Sequence, residues 1–132
     1  MQFASTRLIA ADIAAVVRFY EMLTGTAADW LAPVFAEIVL PGGVIAIGGV
    51  ETVALFSEGS AQPAANRTAI LEFRVEDVDA EFARLKDLAE VVQAPKDMPW
   101  GNRAAQFRDP EGTLVSLFTP VTDVARLRVG SR

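Results

Sequence analysis

Apolar and polar positions run through this chain in one order, and the order occurs twice. Residues 3–10, FASTRLIA, read as a strand, and the next segment, IAAVVRFYEML, places Ile13, Val16, Val17, Tyr20 and Leu23 at helical spacing as one apolar stripe. Asp12, just ahead of that stripe, is positioned to accept from the free amides of a first helical turn, and Gly25 is a natural stop. Sixty-five residues after Asp12 the order repeats. Residues 68–75, TAILEFRV, read as a strand, Asp77 is the cap, and Val78, Phe82, Leu85 and Leu88 share a face. Each helix leads into strand-like pieces broken by turns, VFAEIVLPGGVIAIG in the first half and NRAAQFRDPEGTLVSLF in the second. In the latter, Asp109-Pro110-Glu111-Gly112 has the proline and glycine positions of a type I turn followed by a left-handed residue. Residues 57–66, SEGSAQPAAN, are small and polar, as a linker requires. The pattern predicts an α+β chain: two βαβββ modules in tandem, about residues 2–56 and 67–120, within one domain over 1–132, with a C-terminal tail at 121–132.

Composition narrows the chemistry. At 132 residues and 52% hydrophobic, the chain suits a single domain with a shared core, and no apolar run approaches the roughly 18 residues of a membrane span. There is no cysteine, hence no disulfide, thiolate nucleophile or thiolate metal site. There is also no histidine, which removes the commonest metal ligand and the usual general base near neutral pH. The net charge of −5 argues against nucleic acid or an anionic membrane as partner and fits a neutral or cationic small molecule better. Residues 1–10 lack the basic start and apolar stretch of a signal peptide, so a cytoplasmic location is expected. Gly42-Gly43 and Gly48-Gly49 precede no capped helix and read as turn glycines, while Arg126, Arg128 and Arg132 read as a solvated, frayed tail.

The segments DIAAVVRFYEMLTG, EFRVEDVDAEFARLK and PWGNRAAQFRDPEGTLVSLF, in that order and spacing, resemble the vicinal oxygen chelate superfamily of glyoxalase and bleomycin-resistance-like proteins. The resemblance runs from about Gln2 to Pro120. It implies two βαβββ modules forming a curled mixed sheet around a cavity, often completed by dimerisation, so a homodimer is expected. Metal-using members hold a divalent ion in that cavity with His, Gln or Glu from four strands. The matching positions here are Ser5, Ile70, Ser116 and, depending on register, Ala46 or Ile47. None is a competent ligand for a catalytic divalent ion, so neither metal nor cofactor is expected.

Strand alternation then indicates what replaces a metal site. Ser5, Arg7 and Ile9 share one face of the first strand; Ile70, Glu72 and Arg74 share one face of its counterpart; Leu114, Ser116 and Phe118 share one face of the last strand. Arg7 and Glu72 are equivalent in the two modules, either as a structural ion pair or as groups orienting a ligand. Trp30, Phe35, Phe56, Trp100 and Phe107 are candidate aromatic walls, with Phe35 and Phe107 better read as core, and Trp100 in its MPWGN loop as a ligand-stacking or dimer-contact residue. The expected function is metal-independent binding of a small, partly aromatic molecule in the inter-module cavity by Arg7, Glu72, Trp100, Ser116, Phe118, Phe56 and Trp30. Two alternatives stay open. One is a lyase, isomerase or dioxygenase with an atypical site, with Glu72 the best catalytic candidate and Tyr20 or Glu37 as others; the second is a non-catalytic dimerising module.

Overall fold

The computed structural model describes all 132 residues, and the chain divides into two compact units. The first comprises Met1–Asn66 together with Pro110–Gly112; the second comprises Arg67–Asp109 and Thr113–Arg132.

In the first unit the order is β1 (Ser5–Ala10), α1 (Ile13–Thr24), β2 (Asp29–Ala32), β3 (Phe35–Leu40), β4 (Gly43–Gly49) and a short 3-10 helix, Val50–Leu55. The strands form one four-stranded sheet, β1-β4-β3-β2, in which β1 runs parallel to β4 and the other pairs are antiparallel. A parallel pair needs a crossover, and α1 supplies it. The helix packs on β1, β3 and β4 through Val16, Val17, Tyr20 and Leu23, with Phe19 set edge-on to Tyr20 at 5.0 Å. Ala36, Ile38, Ile45 and Ile47 are among the buried strand residues of this unit's core. The predicted caps are both present. Asp12 accepts from the Ala15 amide at 3.1 Å, and Gly25, at φ +70°, ends α1 in the left-handed conformation that glycine adopts without strain.

The second unit repeats the plan with β5 (Ile70–Arg74), α2 (Val78–Leu85), β6 (Glu90–Asp97), β7 (Asn102–Arg108), β8 (Leu114–Pro120) and an added α3 (Asp123–Gly130). Its sheet order is β5-β8-β7-β6, with β5 parallel to β8. Asp77 accepts from the Ala80 amide at 3.1 Å, and α2 packs on β6, β7 and β8 with Phe82 against Phe107 at 5.8 Å. Thr119 completes the helix start, accepting from Val78 N–H at 2.9 Å while donating to the Val75 carbonyl at 3.0 Å. Arg103 lies over α2 and bridges Asp79 and Asp97; its hydrogen bonds, first to Asp79 and then to Asp97, raise its pKa above the ordinary arginine value. No helix is long and apolar enough to cross a membrane.

Several sequence expectations change here. The βαβββ repeat is present as expected, in two four-stranded mixed sheets that are not closed; the changes are local. α2 stops at Leu85, because Leu88 and Ala89 both turn their amides back to the Leu85 carbonyl, and Leu88 is left exposed instead of on the apolar stripe. Gly48 and Gly49 are not turn residues: they lie inside β4, where a Cβ on Gly48 would come within 2.7 Å of the Thr52 hydroxyl. The tail at 121–132 is helical over most of its length. Thr122 caps α3 by accepting from Ala125, Arg126 pairs with Asp123 at 3.2 Å, and Arg128 donates to the Trp100 carbonyl at 3.1 Å. Gly101, at φ +93°, lets that helix start close by, since a Cβ there would overlap Thr122 and sit 2.9 Å from Ala125.

Glu111 does more than shape its turn. Its two carboxylate oxygens accept from Ala11 and Asp12 N–H at 3.1 and 3.0 Å, the free amides that open the first helix. Glu111→Ala removes both acceptors and returns the amides to water. The variant is expected to lose about 1 kcal/mol of stability, or roughly 3–5 °C of melting temperature, measured by circular dichroism.

Candidate functional site

Each sheet has one face covered by its helix and a second, open face that the helix does not cover. Register decides what stands on the open face, because partners across a ladder point to the same side. In the first unit Arg7 pairs with Ala46, Ala46 with Glu37, and Glu37 with Asp29, so these four form one row across β1-β4-β3-β2. In the second unit Glu72, Ser116, Gln106 and Gln93 form the corresponding row across β5-β8-β7-β6. Two rows, polar except at Ala46, thus occupy equivalent places in the two units.

The register resolves the position left open between Ala46 and Ile47. Ala46 stands opposite Arg7 as Ser116 stands opposite Glu72, whereas Ile47 is fully buried on the helix face. The four positions to which the resemblance points are thus Ser5 and Ala46 in the first unit and Ile70 and Ser116 in the second. Two hydroxyls, a methyl and a branched alkyl group do not fit a divalent ion, which needs carboxylate, imidazole or thiolate donors. Nor are three or more carboxylates gathered elsewhere in a group that could hold one.

Around Arg7 the first unit builds a defined local structure. Its guanidinium carbon lies 4.8 Å from the Phe56 ring centroid and 5.5 Å from that of Phe35, inside cation–π range of both. Arg7 is in no ion pair, so its guanidinium lies over rings instead of meeting a carboxylate, and Glu72 is likewise in no ion pair. Phe35 stands opposite Gly48 in the ladder, and the missing side chain there leaves room beside Thr52, whose hydroxyl donates to the Gly49 carbonyl at 2.8 Å. Phe35, expected in the core, is half-buried on the open face. Phe56 is 74% exposed at the end of the 3-10 helix. Trp30 is exposed on edge strand β2, away from the Arg7 cluster in register.

In the second unit Glu72 is exposed, Ser116 is buried, and Phe118 is half-buried between Arg74 and Ala104 in the ladder. Trp100 is 60% exposed on the β6–β7 turn, where its carbonyl anchors α3. Phe107, as expected, is core. Tyr20 is fully buried against α1's sheet, which takes it out of consideration as an acid–base group reachable by a substrate. The residues that the linear pattern did not single out are Gln106 and Gln93. The side-chain nitrogen of Gln93 and the side-chain oxygen of Asn102 are buried without a protein partner, an unusual condition for polar atoms. Alternation along β7 was the available signal for Gln106; the bulges between Val91 and Lys96 broke that signal for Gln93.

Tandem βαβββ modules with parallel outer pairs define the glyoxalase-like fold. The sequence matches the Glyoxalase/Bleomycin resistance protein/Dioxygenase superfamily over residues 2–117, and the chain belongs to that family. Among solved structures it is similar to a glyoxalase/bleomycin resistance protein/dioxygenase from Nocardioides, at 22% identity, covering 93% of this chain and 85% of that one with a TM-score of 0.76. A family enzyme from Burkholderia phytofirmans PsJN matches at 19% identity, 89% and 98% coverage and a TM-score of 0.79. A protein of unknown function from Agrobacterium tumefaciens matches at 26% identity, 90% and 94% coverage and a TM-score of 0.78. No curated protein matches the sequence.

Because Phe56 is mostly solvent-exposed, its ring contributes through Arg7 rather than through the core. Phe56→Ala is expected to lower unfolding stability by less than about 1 kcal/mol in urea titrations; a larger loss would place the ring in the core.

Proposed function

We propose that this chain is a metal-independent binding protein of its superfamily, which takes a small, partly aromatic molecule on its open sheet faces and works as a cytoplasmic homodimer. The observation that carries this reading is the replacement of the metal-ligand positions by Ser5, Ala46, Ile70 and Ser116 while polar and aromatic groups remain beside them. Small-molecule sites of this kind combine apolar surface with a few polar groups that fix orientation. Arg7, Phe35 and Phe56 supply such a combination in the first unit; Glu72, Ser116, Gln106 and Phe118 supply it in the second. The dimer is supported by edge strand β2, which leaves Trp30 and Leu31 exposed and its outer backbone groups without a neighbouring strand.

The first test is calorimetric titration of chelator-stripped protein with nickel, zinc, manganese and ferrous ions. A flat trace is expected for each; one-to-one binding at about micromolar affinity or tighter would overturn the metal-independent reading. Light scattering should return twice the 14.2 kDa chain mass. A mass equal to one chain at micromolar concentration would overturn the dimer.

A further inference from the structure

The Arg7 cluster specifies a ligand more narrowly than its family does. We propose that Arg7 and Phe56 form a subsite for a planar aromatic monocarboxylate, the guanidinium taking the carboxylate and the exposed ring stacking on the aromatic plane. The inference rests on the binding function proposed above and names its ligand class.

The argument begins with unused hydrogen-bonding capacity. A guanidinium carries five N–H donors in one plane, and cation–π contact engages its face while leaving the donor edge free. Arg7 is exposed, lies within range of two rings, and takes part in no ion pair. The rings restrict where the guanidinium sits, so less side-chain freedom is lost when a ligand arrives. A carboxylate is the group that this donor edge accepts in two parallel hydrogen bonds.

The rest of the row fixes the ligand's charge and orientation. Arg7, Ala46, Glu37 and Asp29 run across successive strands, so the sequence of charge along the face is positive, neutral, negative, negative. Neighbouring strands lie about 4.8 Å apart, which puts the Glu37 backbone roughly 10 Å from that of Arg7 on the same side. An anionic group is therefore accepted only at the β1 end. A second carboxylate across a ring of that length would meet Glu37, whereas a neutral or hydrogen-donating end is compatible with it. The floor between them is low, because Ala46 and Gly48 are the β4 residues on this face nearest the cluster. Phe56, at 74% exposure and with the Arg7 guanidinium carbon 4.8 Å from its centroid, offers a ring with the cation over one side and solvent elsewhere. The chain's net charge of −5 gives no long-range attraction to an anion, so selection has to come from this short-range geometry.

The test uses one ring system in four charge states: naphthoate, naphthamide, naphthylmethylamine and naphthalene dicarboxylate, titrated calorimetrically into the intact protein. Naphthoate is expected to bind at least about tenfold more tightly than the other three. Arg7→Met should weaken naphthoate by about tenfold or more and leave naphthamide unchanged, and Arg7→Lys, which keeps charge but not the fork, should recover only part of the loss. Phe56→Ala should weaken every ring. Thermal melts establish that each variant is folded, and both residues are exposed enough for that to be expected. Equal binding of amide or amine and carboxylate, or undiminished naphthoate binding by Arg7→Met, would overturn the subsite and leave the broader binding function standing. Absence of binding by all four probes, together with no thermal shift across a wider set of aromatic compounds, would overturn both.

Discussion

The parallel pairing of the first and last strand of each module governs the rest of the structure. β1 lies beside β4, and β5 beside β8, and neither pair can form without a helix carrying the chain from one end of the sheet to the other. That helix buries one face of its sheet and leaves the other available for chemistry. Register then acts with period two. A slip of one residue would send Arg7 into the helix layer and bring Leu8 out, and would do the same to Glu72 and Leu71. The buried stripe of Val16, Val17 and Tyr20 opposes such a slip, because Ile45 and Ile47 must stay on the helix side to meet it.

How much of this could be read from the chain depends on the range of the interaction. The caps at Asp12 and Asp77 act over three residues and are stated by the sequence directly. The faces of Ser5, Arg7 and Glu72 follow from alternation in strands without irregularities. Alternation fails where the backbone does: the bulges in β6 hide Gln93, and the turn after Leu85 removes Leu88 from its stripe. α3 was hidden differently. Its amphipathic signal is weak, with Ala125 and Val129 buried but Val124 and Leu127 exposed, and its position depends on a glycine and a tryptophan carbonyl more than twenty residues earlier. The contact between Glu111 and the start of α1 spans a hundred residues, and no local rule announces it.

The same distinction separates family from function. Membership is carried by backbone features that many side chains satisfy, which is why structures near 20% identity share this fold. Function in such a fold resides in side chains at a few positions, and Ser5, Ala46, Ile70 and Ser116 here carry hydroxyl and alkyl groups. What remains distinctive is the row beside them, charged in one unit and largely amide and hydroxyl in the other. Repetition of strand order with divergence of side chains lets the two halves of one chain present two different polar surfaces.

The first unit has one further property: it is not continuous in sequence. It contains residues 1–66 and then Pro110–Gly112, whose Glu111 holds the amides at the opening of α1. During synthesis, the strands and helix of that unit leave the ribosome well before the residue that caps them. For the interval in which some forty intervening residues are made, the helix start relies on Asp12 and water alone. Completion of the first unit is thereby tied to the second half of the chain, which makes the pair interdependent in folding despite the near-symmetry of their architecture.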